Sequence, residues 1–342
     1  MEMNRNRQMF KALVTVAIAA SLLFVAGTVA PAHAQQAKKR EYMIKMAIPS
    51  APEDSCTMAF YKFKELVESR TNGRIAVQVF PNGQLGDHVA YISQMQAGNL
   101  QIGEVNTSLL GPLDGEFAVF DLPYLSKDMD HLIRVLQSGL GDKMSKNLEN
   151  KAGLKVIGWM VRSPRNVYSS KGPINTASDF QGLKIRVQQS AIMVKTMELL
   201  GAQPVAISAN ERYMALQSHV VQAAENSVPF IFTQKEYEVT KYLSLTEHFI
   251  TPNVIAMDAK FFNKLPPDLQ KIVADTGKEA AAYEIEVEKK QLKDAIKALE
   301  GKGMKVNSVA DKSSFKQKVN PIYAEYQDKI GKDVINVFST VR

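Results

Sequence analysis

The strongest constraint on this chain is a long stretch of helical periodicity near its C-terminal end. Pro266 and Pro267 form a helix start, and Gly301 and Gly303 form a helix stop. About 34 helical residues span roughly 50 Å, which exceeds the diameter of one small domain. Such a helix must lie across two domains or bend. Gly277 is a candidate weak point, although one internal glycine need not break a helix. The apolar residues at helical spacing are Leu269, Ile272, Val273, Ala280, Tyr283, Val287, Leu292, Ile296 and Leu299.

Length and composition agree with a two-domain globular protein. The chain has 342 residues, which is more than one compact core usually holds. Hydrophobic residues make up 45% of the chain and charged residues 23%, as in ordinary globular proteins. The net charge of +7 is dispersed, and no basic stripe is interleaved with aromatic residues. We therefore expect no nucleic-acid partner.

The first 34 residues have the three parts of a secretory signal peptide. Arg5, Arg7 and Lys11 form the positive region, an apolar stretch follows, and residues 32–34 (AHA) match an A-x-A cleavage site. The alternative is an N-terminal membrane anchor, because the apolar stretch is almost long enough to span a bilayer. We expect cleavage after residue 34 and a mature protein in the periplasm.

The stretch from 182 to 227 is predicted to form one strand–helix–strand–helix–strand unit. Arg186 lies near the end of its first strand, and Asn226 near the end of its last. Ligands of open α/β sheets bind outside the carboxyl ends of the strands, so this arrangement suits a small anionic ligand. The predicted elements are strand Leu183–Val187, helix Ala191–Leu200, strand Gln203–Ile207, a helix capped by Asn210, and Val220–Asn226 returning to the sheet.

Strands also alternate with helices in the preceding part of the chain, which predicts a mainly parallel α/β sheet. The chain is predicted to cross into a second domain near Ser163 and to return near Thr251. The predicted elements are strand Tyr42–Ile48, helix Thr57–Ser69, strand Arg74–Phe80, helix Asp87–Ala97, strand Leu100–Asn106, strand Lys155–Val161 and strand Asn253–Asp258.

The sequence lacks the common motifs of catalysis. It contains no G-x-S-x-G, no P-loop and no G-x-G-x-x-G. Its five histidines have no metal-ligand spacing, and Cys56 is the only cysteine, so no internal disulfide is possible. An exported α/β chain of this kind is more often a binding protein than an enzyme. We predict no cofactor and no metal.

Several segments carry a family resemblance: KIRVQQS, LGAQPVAIS, ALQSHVVQAAENS, YEVTKYLSLTEHF and FPNGQLGDHVAYISQMQAGNLQIG. From about Tyr42 to the C-terminus, the chain resembles the DctP-type substrate-binding proteins of tripartite ATP-independent periplasmic (TRAP) transporters. The resemblance implies a two-domain periplasmic-binding-protein-like α/β fold, with a ligand cleft between the domains and a long helix spanning both. The predicted boundaries are 1–34 for the signal peptide, 35–163 plus 252–291 for domain I, and 164–251 plus 292–342 for domain II.

Arg186 is the first candidate site residue. Its guanidinium can form two parallel hydrogen bonds to a carboxylate, although a strand-edge arginine is equally often part of a surface salt bridge. The resemblance implies that Arg186 is the carboxylate anchor, that Arg165 is a second pocket arginine, and that Asn226 completes the clamp. It also places Gln189 at a position that often contacts ligand. Replacing Arg165 or Asn226 by alanine is then expected to weaken binding with little loss of stability.

Three further candidates are less specific. His88 and Asn106 match pocket-lining positions of domain I, but His88 is equally compatible with a solvated helix position. Phe230 is a candidate pocket wall. The chain departs from the family pattern before the clamp asparagine, where Gln222 replaces the usual aspartate and His219 replaces a small residue. These departures bear on the turn before Asn226.

The predicted function is capture of a small organic acid anion and its delivery to the small and large membrane permease subunits, by a monomer that performs no reaction. Two alternatives remain open. The first is a periplasmic hydrolase or isomerase acting on an organic acid, which would turn over the ligand recovered from the complex. The second is a ligand sensor that presents the bound acid to a receptor kinase.

Overall fold

The computed structural model describes residues 40–341, and the predicted signal peptide lies outside the described residues. Within this part, no helix combines the length and the apolar character needed to cross a bilayer. The described strands form two sheets, of five and six strands, with helices packed on them. The predicted α/β class and the predicted long helix are confirmed.

The strands are close to their predicted positions. In the first half of the chain, their ends differ from the predicted ones by one or two residues. In chain order they are β1 (Tyr42–Ala47), β2 (Ile75–Phe80), β3 (Ile102–Asn106), β4 (Leu154–Val161), β5 (Arg165–Ser169), β6 (Lys184–Val187), β7 (Gln203–Ala206), β8 (Ala223–Ser227), β9 (Tyr242–Phe249), β10 (Pro252–Asp258) and β11 (Lys305–Ser308).

Each sheet is mainly parallel and contains one strand that runs against the others. The first sheet has the order β2-β1-β3-β10-β4, and β10 is antiparallel to both of its neighbours. The second sheet has the order β11-β9-β5-β8-β6-β7, and β5 is antiparallel to β8 and β9. The opposing strands are therefore the two that follow a short, direct passage from one sheet to the other, whereas β11, which follows the passage through the long helix, is parallel to β9.

Chain connectivity explains these two opposing strands. Only residues 162–164 connect β4 to β5, and only residues 250–251 connect β9 to β10. A parallel connection needs a crossover of about a dozen residues or more. A strand that enters directly starts at the edge where its neighbours end, so it runs antiparallel to them. The ends of β3, β6 and β8 therefore meet the starts of β5 and β10.

The helices cover the faces of the two sheets and continue to the C-terminal end. They are α1 (Ser55–Arg70), α2 (His88–Gln96), α3 (Met129–Val135), α4 (Gly141–Ala152), α5 (Ala191–Leu200), α6 (Arg212–Gln217), α7 (Val228–Thr233), α8 (Ala259–Lys264), α9 (Pro267–Gly301), α10 (Ser313–Val319), α11 (Pro321–Ile330) and α12 (Lys332–Thr340).

The long helix α9 packs on elements of both sheets. It has 35 residues and begins with proline at its first position. Its first half packs on α1 and β4, with Leu269 and Val273 in the core of the first sheet. Its second half packs near α7 and β11, where Leu299 joins a separate cluster. The helical periodicity therefore predicted α9 correctly, and α9 connects the parts of the chain that form the two sheets.

Gly277 does not interrupt α9, in agreement with the expectation that one internal glycine need not break the helix. A Cβ at this position would lie 2.5 Å from the carbonyl oxygen of Ile157, so the glycine permits close contact between helix and strand.

One local prediction needs correction. The prediction that Asn210 caps α6 is wrong. Glu211 is the cap residue, and the Asn210 amide instead donates to the carbonyl oxygen of Gly86 at 2.9 Å.

Candidate functional site

A pocket of about 270 Å³ lies where the strand ends of the two sheets meet. Its polar lining follows from the topology, because Asn106, Arg186 and Asn226 lie at the carboxyl ends of β3, β6 and β8. Arg165 is the first residue of β5, the strand that enters at the same edge. Six of the seven predicted site residues line the pocket: His88, Asn106, Arg165, Arg186, Asn226 and Phe230.

Gln189 is the predicted residue that does not line this pocket. It is exposed and borders a much smaller neighbouring depression. Its neighbour Gln188 is 6% exposed and does line the pocket. Side chains alternate along extended backbone, so Gln188 follows Arg186 on one side while Gln189 points to the other. Gln188 therefore borders the main pocket, and contact of Gln189 with a ligand stays a prediction.

Arg165 is fully engaged by its own strand neighbour. Its Nε and Nη2 donate to the two carboxylate oxygens of Glu225, and Nη1 donates to Oδ1 of Asn226 at 3.2 Å. Burial alone raises the pKa of Glu225, but Arg165 and His248 hold it at about 2. Arg165 therefore lines the pocket but is already paired with Glu225, and its hydrogen bond to Asn226 positions that amide.

Arg186 is equally buried but is paired differently. It is 2% exposed, and its Nε and Nη2 donate to the carbonyl oxygen of Ile207 at 2.8 and 2.6 Å. It has no carboxylate partner among residues 40–341. Burial, followed by repulsion from Arg212, lowers the pKa of Arg186 to about 9, so the guanidinium stays charged at neutral pH.

Two further pocket arginines were not predicted from the sequence. Arg212 donates to Oε1 of Glu236 from Nε at 2.8 Å, and Arg162 donates to both carboxylate oxygens of Asp54 at 2.9 and 2.6 Å. Their guanidinium carbons lie 4.5 and 5.2 Å from the ring centre of Phe230, within cation–π range. Arg162 lies three residues before Arg165 in the same connection between the sheets. This nearness to a predicted site residue is the sequence feature that could have indicated Arg162.

The first sheet contributes an amide and carboxylate network. Asn106 donates from Nδ2 to Oδ1 of Asn253 at 2.6 Å, and Asn253 donates to Oε1 of Glu104. His88 is 7% exposed, so it is not a solvated helix residue. Its Nδ1 donates to the carbonyl oxygen of Glu104 at 3.0 Å and lies 3.3 Å from Oε2. Burial raises the pKa of Glu104, and the proximity of His88 opposes this shift.

Two contacts connect the sides of the pocket. The Asn210 amide reaches the carbonyl oxygen of Gly86, between the segment after β7 and the segment after β2. Asp121 accepts from the hydroxyls of Ser108, just after β3, and of Ser190, just after β6, both at 2.6 Å. Burial raises the pKa of Asp121 to about 6, although both serines oppose the shift. In this conformation the two halves touch across the pocket.

Within residues 40–341, no group of three or more His, Cys, Asp and Glu side chains is arranged to hold a metal ion. The pocket lining instead offers amides, carboxylates and four guanidiniums, with the Phe230 ring as an apolar wall. Such a lining can hold a polar anion by hydrogen bonds and charge.

Comparison with known proteins decides the family. Residues 47–329 match the family of bacterial extracellular solute-binding proteins, family 7 (DctP). The chain belongs to this family. The resemblance stated from the sequence is therefore confirmed, and the protein is a TRAP-type solute-binding protein rather than an enzyme.

Individual relatives agree over nearly their full length. A solute-binding protein of Sulfitobacter sp. (strain NAS-14.1) is 33% identical over 318 residues, covering 90% of this chain and 92% of its own. The structure of a TRAP periplasmic solute-binding protein from Roseobacter denitrificans with bound β-D-glucuronate has a TM-score of 0.84 at 29% identity, covering 88% and 100% of the two chains. A Sulfurospirillum deleyianum protein with bound succinate has a TM-score of 0.85 at 28% identity, covering 89% and 100%.

Proposed function

We propose that this protein captures a small organic acid anion in the pocket, with Arg186 as the carboxylate anchor. The observation that supports the proposal most strongly is the pairing of the four pocket arginines. Arg162, Arg165 and Arg212 each face a carboxylate of the protein, whereas Arg186 faces only a carbonyl oxygen. A buried charge without a counter-charge is costly, so this guanidinium is suited to an anion supplied by the ligand.

The geometry of Arg186 leaves room for a bidentate contact. A guanidinium has five N–H groups, and Ile207 accepts from two of them. The remaining groups are on Nη1 and Nη2, which form the end-on edge that matches a carboxylate. Asn226 is suited to complete the clamp, because its carbonyl oxygen is occupied by Arg165 and by the Ser227 amide. Its Nδ2 therefore stays available as a donor.

The relatives support the ligand class. The Roseobacter protein binds β-D-glucuronate and the Sulfurospirillum protein binds succinate, and both ligands carry a carboxylate. The volume of about 270 Å³ is slightly below the usual range of small-molecule pockets, roughly 300–1,000 Å³. A metabolite-sized acid fits this volume, and a peptide does not.

Delivery is proposed to follow closure of two domains around the ligand. We retain residues 35–163 plus 252–291 as domain I and residues 164–251 plus 292–342 as domain II, joined at 162–164 and 250–251. The pocket takes residues from both sides, so a ligand that contacts both favours the closed form by its differential affinity. In this proposal the protein works in the periplasm after signal-peptide cleavage, and the permease subunits recognise the closed form.

A thermal-shift screen of organic acids against the purified protein tests the capture. An acid present at 100 times its dissociation constant stabilises the fold by about 2.7 kcal/mol. The acid recovered from the complex is expected to be chemically unchanged, and turnover would favour the hydrolase alternative. Small-angle scattering with the identified acid is expected to show a smaller radius of gyration. An unchanged scattering curve at saturation would contradict ligand-driven closure.

A further inference from the structure

Four buried polar atoms of the pocket lining have no hydrogen-bond partner among the described residues. They are Oε2 of Glu236, Nε2 of Gln188, Nε2 of Gln234 and Oε2 of Glu104. The Glu104 oxygen lies 3.3 Å from Nδ1 of His88, but that nitrogen already donates to the Glu104 carbonyl oxygen. Glu104 is 1% exposed and Glu236 is not exposed at all. A buried polar atom without a partner is costly, so four such atoms in one pocket describe the hydrogen-bonding groups of a ligand.

The charges of the pocket set the charge of this ligand. Arg162, Arg165 and Arg212 are each neutralised by an ion pair, which leaves Arg186 as the unpaired cation of the described lining. Glu104 and His88 lie 3.3 Å apart. Glu104 is therefore the partner of His88 within the protein, and His88 is not a free cation for a second ligand carboxylate. The pocket therefore balances one negative charge, and a second carboxylate on the ligand would be buried without a counter-charge.

The four unpartnered atoms indicate which hydrogen-bonding groups the ligand carries besides its carboxylate. An ionised carboxylate oxygen only accepts, so Oε2 of Glu236, whose partner oxygen binds Arg212, needs a donor. The amide nitrogens of Gln188 and Gln234 need acceptors. A hydroxyl is both donor and acceptor, and it also suits Glu104 whether that carboxyl is ionised or protonated. Ionised succinate has acceptors only, so it cannot satisfy Glu236.

We propose that the ligand is a monocarboxylate with at least two hydroxyl groups, one of which donates to Glu236 while another contacts Glu104. This inference rests on the proposed capture of an organic acid and narrows it to polyhydroxylated monoanions, the class that includes aldonates and uronates. Arg186 recognises the carboxylate. Glu236 and Glu104 act as specificity-determining residues at the hydroxyl-bearing part of the ligand.

Calorimetry on the unmodified protein is the first test, with D-galactonate, D-gluconate, D-glucuronate, succinate and hexanoate as probes near neutral pH. At least one hydroxylated monoacid is expected to bind about a hundredfold more tightly than succinate and hexanoate, because each unmet buried group costs about 1–3 kcal/mol. Succinate binding as tightly as every hydroxylated acid overturns the proposal, as does equally tight binding of hexanoate. If only hexanoate or only succinate binds, the hydroxylated-monoacid proposal is overturned and the proposed capture of an organic acid is kept. If none of the acids binds, both proposals are overturned.

A charge-removal variant tests the role of Glu236. Glu236→Gln leaves Arg212 without its counter-charge, so the pocket then balances two negative charges. We expect the affinity for the hydroxylated acid to fall at least about tenfold and its preference over succinate to narrow. Glu198→Gln is the control, because Glu198 is an exposed glutamate on α5 and lies outside the pocket lining. An unchanged ratio of the two affinities in Glu236→Gln contradicts the assignment, and the wild-type panel decides the ligand class if this variant does not fold.

Discussion

Two buried polar regions of this molecule use similar residue types but differ in how completely they are paired. The first, which we name the crossover cluster, lies where α9 passes the connection between β4 and β5. Glu284 accepts from the Val161 amide at 3.0 Å, and Glu288 accepts from the amide and hydroxyl of Ser163 at 3.0 and 2.7 Å. The Ser55 hydroxyl lies 2.9 and 2.8 Å from the two carboxyls. None of these side-chain atoms lacks a partner.

The second region is the pocket, where a guanidinium and two carboxylate oxygens lack matching groups. Both regions are buried, so burial of charge alone does not separate structural from functional residues. Buried atoms without a partner also occur outside the pocket, as at Asp114 and Tyr91, so incomplete pairing alone does not mark a ligand group. Several unpartnered atoms together with an unpaired guanidinium in one pocket do indicate groups that bind a ligand. Three of the four predictions below test this distinction and the last tests the packing of α9 on β4; they run from the largest expected effect to the smallest.

Arg165→Ala is expected to lower the free energy of unfolding without ligand by about 3–5 kcal/mol, because it leaves Glu225 as an unpaired buried charge. This pairing replaces the expectation from sequence of little stability loss. Denaturant titration measures the effect. Arg165→Met combined with Glu225→Leu is the control and should recover part of the loss. A single variant as stable as the wild type would contradict the role of this pair.

Arg186→Lys is expected to weaken acid binding by about a hundredfold or more, roughly 2.7 kcal/mol, because an ammonium cannot reproduce the planar fork. Stability without ligand should fall by about 0.5–1.5 kcal/mol, less than in Arg165→Ala, because only the hydrogen bonds to the Ile207 carbonyl oxygen are weakened and no protein carboxylate loses its partner. Calorimetry and denaturant titration give the two values. Lys184→Ala, on the exposed side of the same strand, is the control. Near-normal affinity in Arg186→Lys would contradict the proposal that Arg186 anchors the ligand carboxylate.

The sequence predicted the secondary structure of both regions better than it predicted the pairing of their buried polar groups. The elements and the long helix were predicted because periodicity, stop residues and strand ends are local signals. Arg186 was predicted from its strand end together with the family resemblance. The hydrogen-bond and ion-pair partners of the buried polar groups were not predicted, because they are far apart in the sequence and meet only in the fold. Examples are Arg212 with Glu236, and Ser55 with Glu284.

The crossover cluster illustrates this limit. The pattern in α9 indicated Tyr283 and Val287 as inward residues, yet both are half-buried, whereas Glu284 and Glu288 are fully buried. Glutamate on a long helix is normally solvated, so nothing local marked these two. Their burial depends on the Ser163 and Val161 amides, which the crossing presents to α9.

Glu284→Gln is expected to flatten the pH dependence of stability. One Ser55 proton cannot serve two carboxyls, so one carboxyl must carry a proton, and burial followed by repulsion from Glu288 raises the pKa of Glu284 to about 8. Asp54 and Cys56 also face it, with Arg162 opposing. The folded protein therefore holds this proton more tightly than the unfolded chain.

The sign of the effect follows from this raised pKa. Stability is complete below pH about 4.5 and falls as pH rises through about 8, with a slope of up to about 1.4 kcal/mol per pH unit. Denaturant titrations across this range measure the slope for the wild type and for Glu284→Gln. The exposed Glu286 on the same helix provides the control, Glu286→Gln. Equal slopes in the wild type and Glu284→Gln would contradict the shared proton.

Gly277→Ala is expected to destabilise the fold by about 1–2 kcal/mol, although alanine is the better helix former by about 1 kcal/mol. The added Cβ would meet the carbonyl oxygen of Ile157 at 2.5 Å. Gly301→Ala is the control, because nothing lies within 4 Å of a Cβ there, and it should be neutral or stabilising. A stabilising Gly277→Ala would show that α9 and β4 can separate without cost.

The structure of the protein with the acid identified in the screen tests the central claim most directly. We predict that one ligand carboxylate accepts hydrogen bonds from Nη1 and Nη2 of Arg186 at about 2.7–2.9 Å, while Arg165 stays paired with Glu225. Arg186 should keep its bonds to Ile207. A ligand bound elsewhere, or a carboxylate held by Arg165 after its separation from Glu225, would contradict the claim that the unpaired arginine is the anchor.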